Sequence, residues 1–112
     1  MDTPVVTVFR NKLRPDADGY GDELARMLNS VQLMPGFIES KTFTADDGER
    51  VTIIMFESLD QQRAWFEHPG HRTAQRRGRD EFYEFYRLQV CELVRESTFE
   101  RGGDRVETFP AS

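Results

Sequence analysis

The sequence predicts an α+β domain of order β-α-β-β-α-β, the ferredoxin-like split βαβ arrangement, and three observations predict it. Two strand-like runs, Phe37 to Thr44 and Val51 to Glu57, flank an Asp47-Gly48 step, a strong hairpin signal. Apolar residues at helical spacing lie on both sides of that hairpin along the chain. Further strand-like runs, Pro4 to Arg10 and Leu88 to Phe99, open and close the set. A chain of 112 residues holds one such domain and one core.

Taken in order, PVVTVFR is rich in β-branched and aromatic residues, and the strand ends near Lys12, where Leu13-Arg14-Pro15-Asp16 turns the chain. From Asp18 to Met34 the residues Tyr20, Leu24, Met27, Leu28 and Val31 repeat at helical spacing; Gly19 and Gly21 weaken the first turn, and Pro35-Gly36 stops the helix. After the hairpin, Ser58 and Gln61 have the form of a capping box opening a short helix through Trp65. Pro69-Gly70 interrupts it, and a second helical stretch is predicted from His71 to about Tyr86. Residues 1–99 form the domain; 100–112 are polar and glycine-bearing and read as a mobile tail or a swapped arm.

Helices on one face of an antiparallel sheet leave the other to water, and that face should then be polar. Here Val5, Val6, Val8 and Phe9, and residues of both parities within the run Val51 to Phe56, are apolar. Two helices cover only one side. The expected partner is therefore a second copy, packed sheet against sheet into a dimeric α+β barrel.

The net charge of −5 and a pI near 5.0 argue against nucleic acid or an anionic membrane as a partner. No apolar run approaches the roughly 20 residues of a spanning helix, and Met1-Asp2-Thr3-Pro4 is unlike a signal peptide, so a cytoplasmic protein is expected. The single cysteine, Cys91, is read as a small buried hydrophobe of a strand. No phosphate-binding glycine loop or multi-cysteine metal motif occurs, and no cofactor or metal is indicated.

The stretch from His68 to Arg79 is the most unusual in composition. A helix starting near Gly70 sets His71, Ala74, Gln75, Gly78 and Phe82 along one packed stripe. His71 either moves a proton near the sheet or caps the helix; His68, beside Pro69, reads as a solvent-facing turn residue. Trp65 is core, or the wall of a pocket for a planar ligand. Asn11 follows Phe9 at strand period, placing an amide at the strand's edge to bond a ligand oxygen or its own turn. Arg72, Arg76, Arg77 and Arg79 face Asp80, Glu81 and Glu84 at helical offsets and read as a self-neutralised surface. Tyr83, Phe85 and Tyr86 are too closely spaced to share one helix face.

The succession VVTVFRNKLRPD, PGF, VTIIMFES, AWFEHPGHRTAQRR and RLQVCELV resembles the antibiotic biosynthesis monooxygenase domain family over about residues 4 to 97. The resemblance implies a dimeric α+β barrel and, among its members, cofactor-free oxygenases of anthrones and quinols, haem-degrading oxygenases and isomerases. It maps a first-strand asparagine of the oxygenases onto Asn11 and their third-strand Asn and Trp onto Thr52 and Phe56. In the haem-degrading branch, Asn11 and Trp65 match, while Gln75 takes the place of the ligating histidine, and glutamine is a poor iron ligand.

The expectation is a cofactor-independent monooxygenase of an electron-rich aromatic such as a quinol or anthrone. Asn11 would orient the oxyanion, His71 move the proton and Trp65 wall the pocket, with Phe9, Thr52, Phe56, Gln75 and Phe82 against the substrate. The alternatives are a non-enzymatic dimeric small-molecule binder and, behind it, a haem-binding protein.

Overall fold

The computed structural model describes residues 3–103 and 106–109. Strands β1 (Val5–Leu13), β2 (Phe37–Thr44), β3 (Arg50–Phe56) and β4 (Tyr83–Glu92) form one antiparallel sheet in the order β2-β3-β1-β4. Helices α1 (Tyr20–Val31), α2 (Leu59–Phe66) and α3 (Pro69–Arg77) pack on one face of it. This is the predicted α+β split βαβ fold.

Register separates the two faces. Val5, Thr7, Phe9 and Asn11 of β1 lie opposite Phe56, Ile54, Thr52 and Arg50 of β3, and this set faces the helices. Val31 of α1, Ile54, Phe56 and Trp65 form the buried core. Fully burying aliphatic and aromatic side chains of this kind stabilises by roughly 1.5–3 kcal/mol each. On the opposite face Val6, Val8 and Ile53 are half-buried with no helix over them, and Phe43 and Phe85 are 47% and 44% exposed. Cys91 shares that face through its pairing with Val6 and is exposed, not buried, because it lies on β4, an edge strand of the sheet.

The elements differ from expectation mainly at their ends. Helix α1 begins at Tyr20 behind Gly19, whose φ of 83° is left-handed, and it stops at Val31 rather than Met34. Helix α2 starts at the predicted cap: the Ser58 hydroxyl accepts from the Gln61 backbone N–H at 3.2 Å. His68, rather than His71, caps α3, its Nδ1 accepting from the Gly70 N–H at 3.1 Å. The second helical stretch does not reach Tyr86. It gives way at Gly78–Phe82 to a single π-helical turn, and Tyr83, Phe85 and Tyr86 already belong to β4. Their β-favouring aromatic side chains pair with β1, which outweighs the helical charge pattern preceding them. The predicted last strand also divides: β4 ends at Glu92, where β1 has no further residue to pair with, and Leu93 N–H bonds the Pro4 carbonyl at 2.9 Å. Within the stretch read as tail and the strand before it, β5 (Glu96–Thr98) and β6 (Val106–Phe109) form an antiparallel hairpin; residues 104–105 and 110–112 lie outside the described residues.

Gly36 joins α1 to β2 at φ 82°, and its carbonyl accepts from Glu57 N–H at 2.8 Å. A Cβ there would fall within the Gln61 side-chain amide. Gly36→Ala is expected to lower stability by about 1–2 kcal/mol from left-handed strain alone, seen as a fall in urea midpoint with unchanged slope. Gly21, helical and with open space at its Cβ position, is the contrast: Gly21→Ala should raise stability by roughly 0.5 kcal/mol.

Candidate functional site

Between the sheet and the helices lies a cavity of about 140 Å³. Its floor is the helix-facing side of β1, β3 and β4, and its roof is α1, α3 and the π turn. Strand alternation delivers Thr7 and Phe9 from β1, Ile54 from β3 and Leu88 from β4 to the floor. Of the residues predicted for the site, Phe9, Trp65, His71, Gln75 and Phe82 line it. Asn11, Thr52 and Phe56 are not among the lining residues. Asn11 is 1% exposed instead of at an open strand edge, and its Oδ1 has no partner. Thr52 is buried with its hydroxyl 2.9 Å from that of Thr42. Phe56 lies one layer behind the wall, stacked on Trp65 at 5.6 Å between ring centroids.

Trp65 is 3% exposed and has aromatic neighbours in two directions. Beyond its contact with Phe56, its ring centroid lies 4.2 Å from that of His71. Phe66 flanks the same imidazole at 5.8 Å. Burial, with a smaller contribution from the charge of His68, lowers the His71 pKa from 6.5 to about 4. The ring is therefore neutral at pH 7, with one nitrogen protonated and one an acceptor. Its Nδ1 is sealed without a partner, so contact with a ligand falls to Nε2. Gln75 donates its side-chain amide to the Phe66 carbonyl at 3.4 Å, which ties it to structure and away from a metal-ligand role.

At the other end, five aromatic side chains form a continuous cluster. Phe9 meets Tyr83 at 5.5 Å and Tyr86 at 5.7 Å, and Tyr20 meets Phe82 at 5.4 Å and Tyr83 at 5.6 Å. The Tyr83 hydroxyl donates to that of Tyr20 at 3.2 Å. Burial, reinforced by Tyr20, pushes the Tyr83 hydroxyl well above its usual pKa. The Arg50 guanidinium lies 5.1 Å above the Tyr20 ring. Sequence reasoning missed this cluster because Tyr20 and Tyr83 meet only through the tertiary fold. Gly78 makes room for it: a Cβ there would come within 2.6 Å of the Tyr83 ring.

Above the cavity, Arg77 of α3 pairs with Glu81 at 2.6 Å, as predicted, and also reaches across to Glu23 of α1 at 3.0 Å. Arg76 and Asp80 do not pair. Glu23 also holds Arg26 within α1, and its pair with Arg77 links the two roof helices. Among the described residues, no three or more His, Cys, Asp or Glu come together as metal ligands, and no helix is long and apolar enough to cross a membrane.

The lowered pKa of His71 has a stability consequence. Between pH 6.5 and about 4 the unfolded chain holds a proton on this residue that the folded chain does not, so its contribution is intact above pH 6.5 and falls as the solution is acidified. We expect about 1–2 kcal/mol to be lost between pH 7 and 5, measured as urea midpoints, and expect His71→Gln to flatten that part of the curve.

Comparison with known proteins agrees with this architecture. Residues 4–77 match the family model described as antibiotic biosynthesis monooxygenase. A Bacillus subtilis (strain 168) relative, YqjZ, is 29% identical over 98 residues, covering 87% of this chain and 86% of its own length. Among solved structures, Rv0793 from Mycobacterium tuberculosis superposes with a TM-score of 0.76 at 18% identity, over 86% of this chain and 100% of that one. SnoaB from Streptomyces nogalater, a cofactor-independent oxygenase, gives 0.69 at 18% identity over 80% of this chain and 91% of its own. The strand order, the helices over one face and the family match across most of the chain agree: the protein belongs to the antibiotic biosynthesis monooxygenase family.

Proposed function

We propose that this protein is a cofactor-independent monooxygenase of an electron-rich aromatic. The observation that carries the reading is the cavity itself, aromatic on most sides, with a neutral imidazole tilted against its tryptophan wall. In such chemistry the substrate supplies the electrons, and the protein binds it, excludes water and stabilises its oxyanion. For a hydroquinone the balance is simple. One atom of O₂ replaces a ring hydrogen as hydroxyl, the two hydroxyl hydrogens leave with the other atom as water, and the ring ends as a hydroxyquinone. The substrate gives four electrons and O₂ takes four.

His71 takes part through Nε2. A base of pKa about 4 cannot hold a phenol proton in the resting complex, so its role is to accept a hydrogen bond from the phenol and shuttle the proton as charge moves onto oxygen. Asn11, enclosed behind the wall, is replaced in the oxyanion role by groups on the wall. A second reading, a non-catalytic binder of small aromatics, is favoured by Thr52 and Phe56, which leave the third strand without a free polar group at the cavity.

We also propose that a second copy covers the open sheet face. Val6, Val8 and Ile53 give a contiguous apolar strip that is self-complementary about a two-fold axis. Val8→Glu should convert a dimer to a monomer in sedimentation equilibrium, and a wild-type chain that sediments as a monomer at micromolar concentration removes the idea.

For the oxygenase, the test is oxygen uptake by chelator-treated protein over a panel of quinols and anthrones. Uptake above buffer, insensitive to chelator and reduced about 100-fold in His71→Ala, is the expected result. Its pH profile should lack an inflection near 6.5. Binding with no uptake on any member of the panel would leave the binder reading.

A further inference from the structure

The size of the cavity and the Tyr20–Tyr83 hydrogen bond narrow the ligand. An enclosed apolar space of about 150 Å³ accommodates benzene, and this cavity is about 140 Å³. That is room for one ring with small substituents. A fused three-ring anthrone exceeds that volume, and Arg77 of α3, paired with Glu23 of α1, bridges the two helices over it.

Polarity within the cavity points the same way. The Tyr83 hydroxyl gives its proton to Tyr20, so the Tyr20 oxygen already accepts one bond while its own proton has no acceptor among the described residues. Tyr20 is on the wall. With a guanidinium over its ring and a donor at its oxygen, its O–H is polarised toward donation. A hydroxyl in that state is matched by an oxygen carrying negative charge.

We infer that the ligand is a single-ring phenol or hydroquinone, and that the Tyr20 hydroxyl binds its phenolic oxygen as that oxygen becomes anionic. The inference rests on the proposal that the site takes an electron-rich aromatic. It assigns Tyr20 the oxyanion role, with Tyr83 as the residue that positions and polarises it.

The test is calorimetric titration under strict exclusion of oxygen, using methylhydroquinone and a dihydroxyanthrone as probes. Methylhydroquinone should bind at least about tenfold more tightly than the anthrone. Tyr20→Phe should weaken it about tenfold, the loss of one hydrogen bond to the phenolic oxygen, and Tyr83→Phe by no more than about threefold. Equal or tighter binding of the anthrone overturns the size argument. An unchanged affinity in Tyr20→Phe, or equal losses in both variants, overturns the role of Tyr20. Should Tyr20→Phe fail to fold, the wild-type chain supplies the second measurement: affinity across substituted phenols should rise with their acidity, and a flat series counts against the assignment. Because oxygen is excluded, these outcomes are independent of turnover. Tight binding of methylhydroquinone without later oxygen uptake refutes the oxygenase alone, while uptake confined to anthrones refutes the single-ring ligand alone.

Discussion

Trp65 holds the helical layer to the sheet, and the site depends on that attachment. The indole meets Phe56 of the core and the imidazole of His71, so one side chain is shared between packing and cavity wall. Helix α2 is set on β3 by this contact, and α3, which follows after two residues, inherits its position. Trp→Ala changes in cores commonly cost about 3–5 kcal/mol; here such a loss would also release the ring beside which His71 is held neutral.

Much of this was legible in the sequence because it is local. The Asp47-Gly48 hairpin, the Ser58–Gln61 cap and the apolar stripe of α1 each follow from residues within one or two turns of one another. The boundary at Gly78 was harder, since Arg77-Gly78-Arg79-Asp80-Glu81 continues a helical charge pattern, and only pairing with β1 makes Tyr83 to Tyr86 a strand. Strand period put Phe9 and Asn11 on one face correctly, yet that rule does not say where a cavity ends; the Phe9 ring reaches the wall and the Asn11 amide is enclosed behind it. The Tyr20–Tyr83 bond joins residues 63 positions apart, and no sequence pattern announces it.

The two ends of the cavity are chemically distinct. At the Trp65 end, desolvation keeps the histidine uncharged and suited to accept a hydrogen bond. At the Tyr20 end, a phenol hydroxyl that already accepts from Tyr83 has its own proton left to donate, with a guanidinium nearby. An apolar floor between an acceptor and a donor suits a planar molecule with oxygen at its rim. The charged side chains lie on the roof side: Glu23 and Arg79 line the cavity there, and the ion pairs of Glu23, Arg26, Arg77 and Glu81 are partly solvated and screened by salt.

Trp65 is also the only tryptophan in the chain. Its emission therefore originates at the cavity wall and nowhere else, which makes the protein its own optical probe. Water entering beside the indole would shift the spectrum to the red, and a bound ring would alter its intensity. Because His71 is its nearest aromatic neighbour on the cavity side, protonation of that imidazole would register in the same signal. One native chromophore thus answers to the hydration, the occupancy and the charge state of a single cavity.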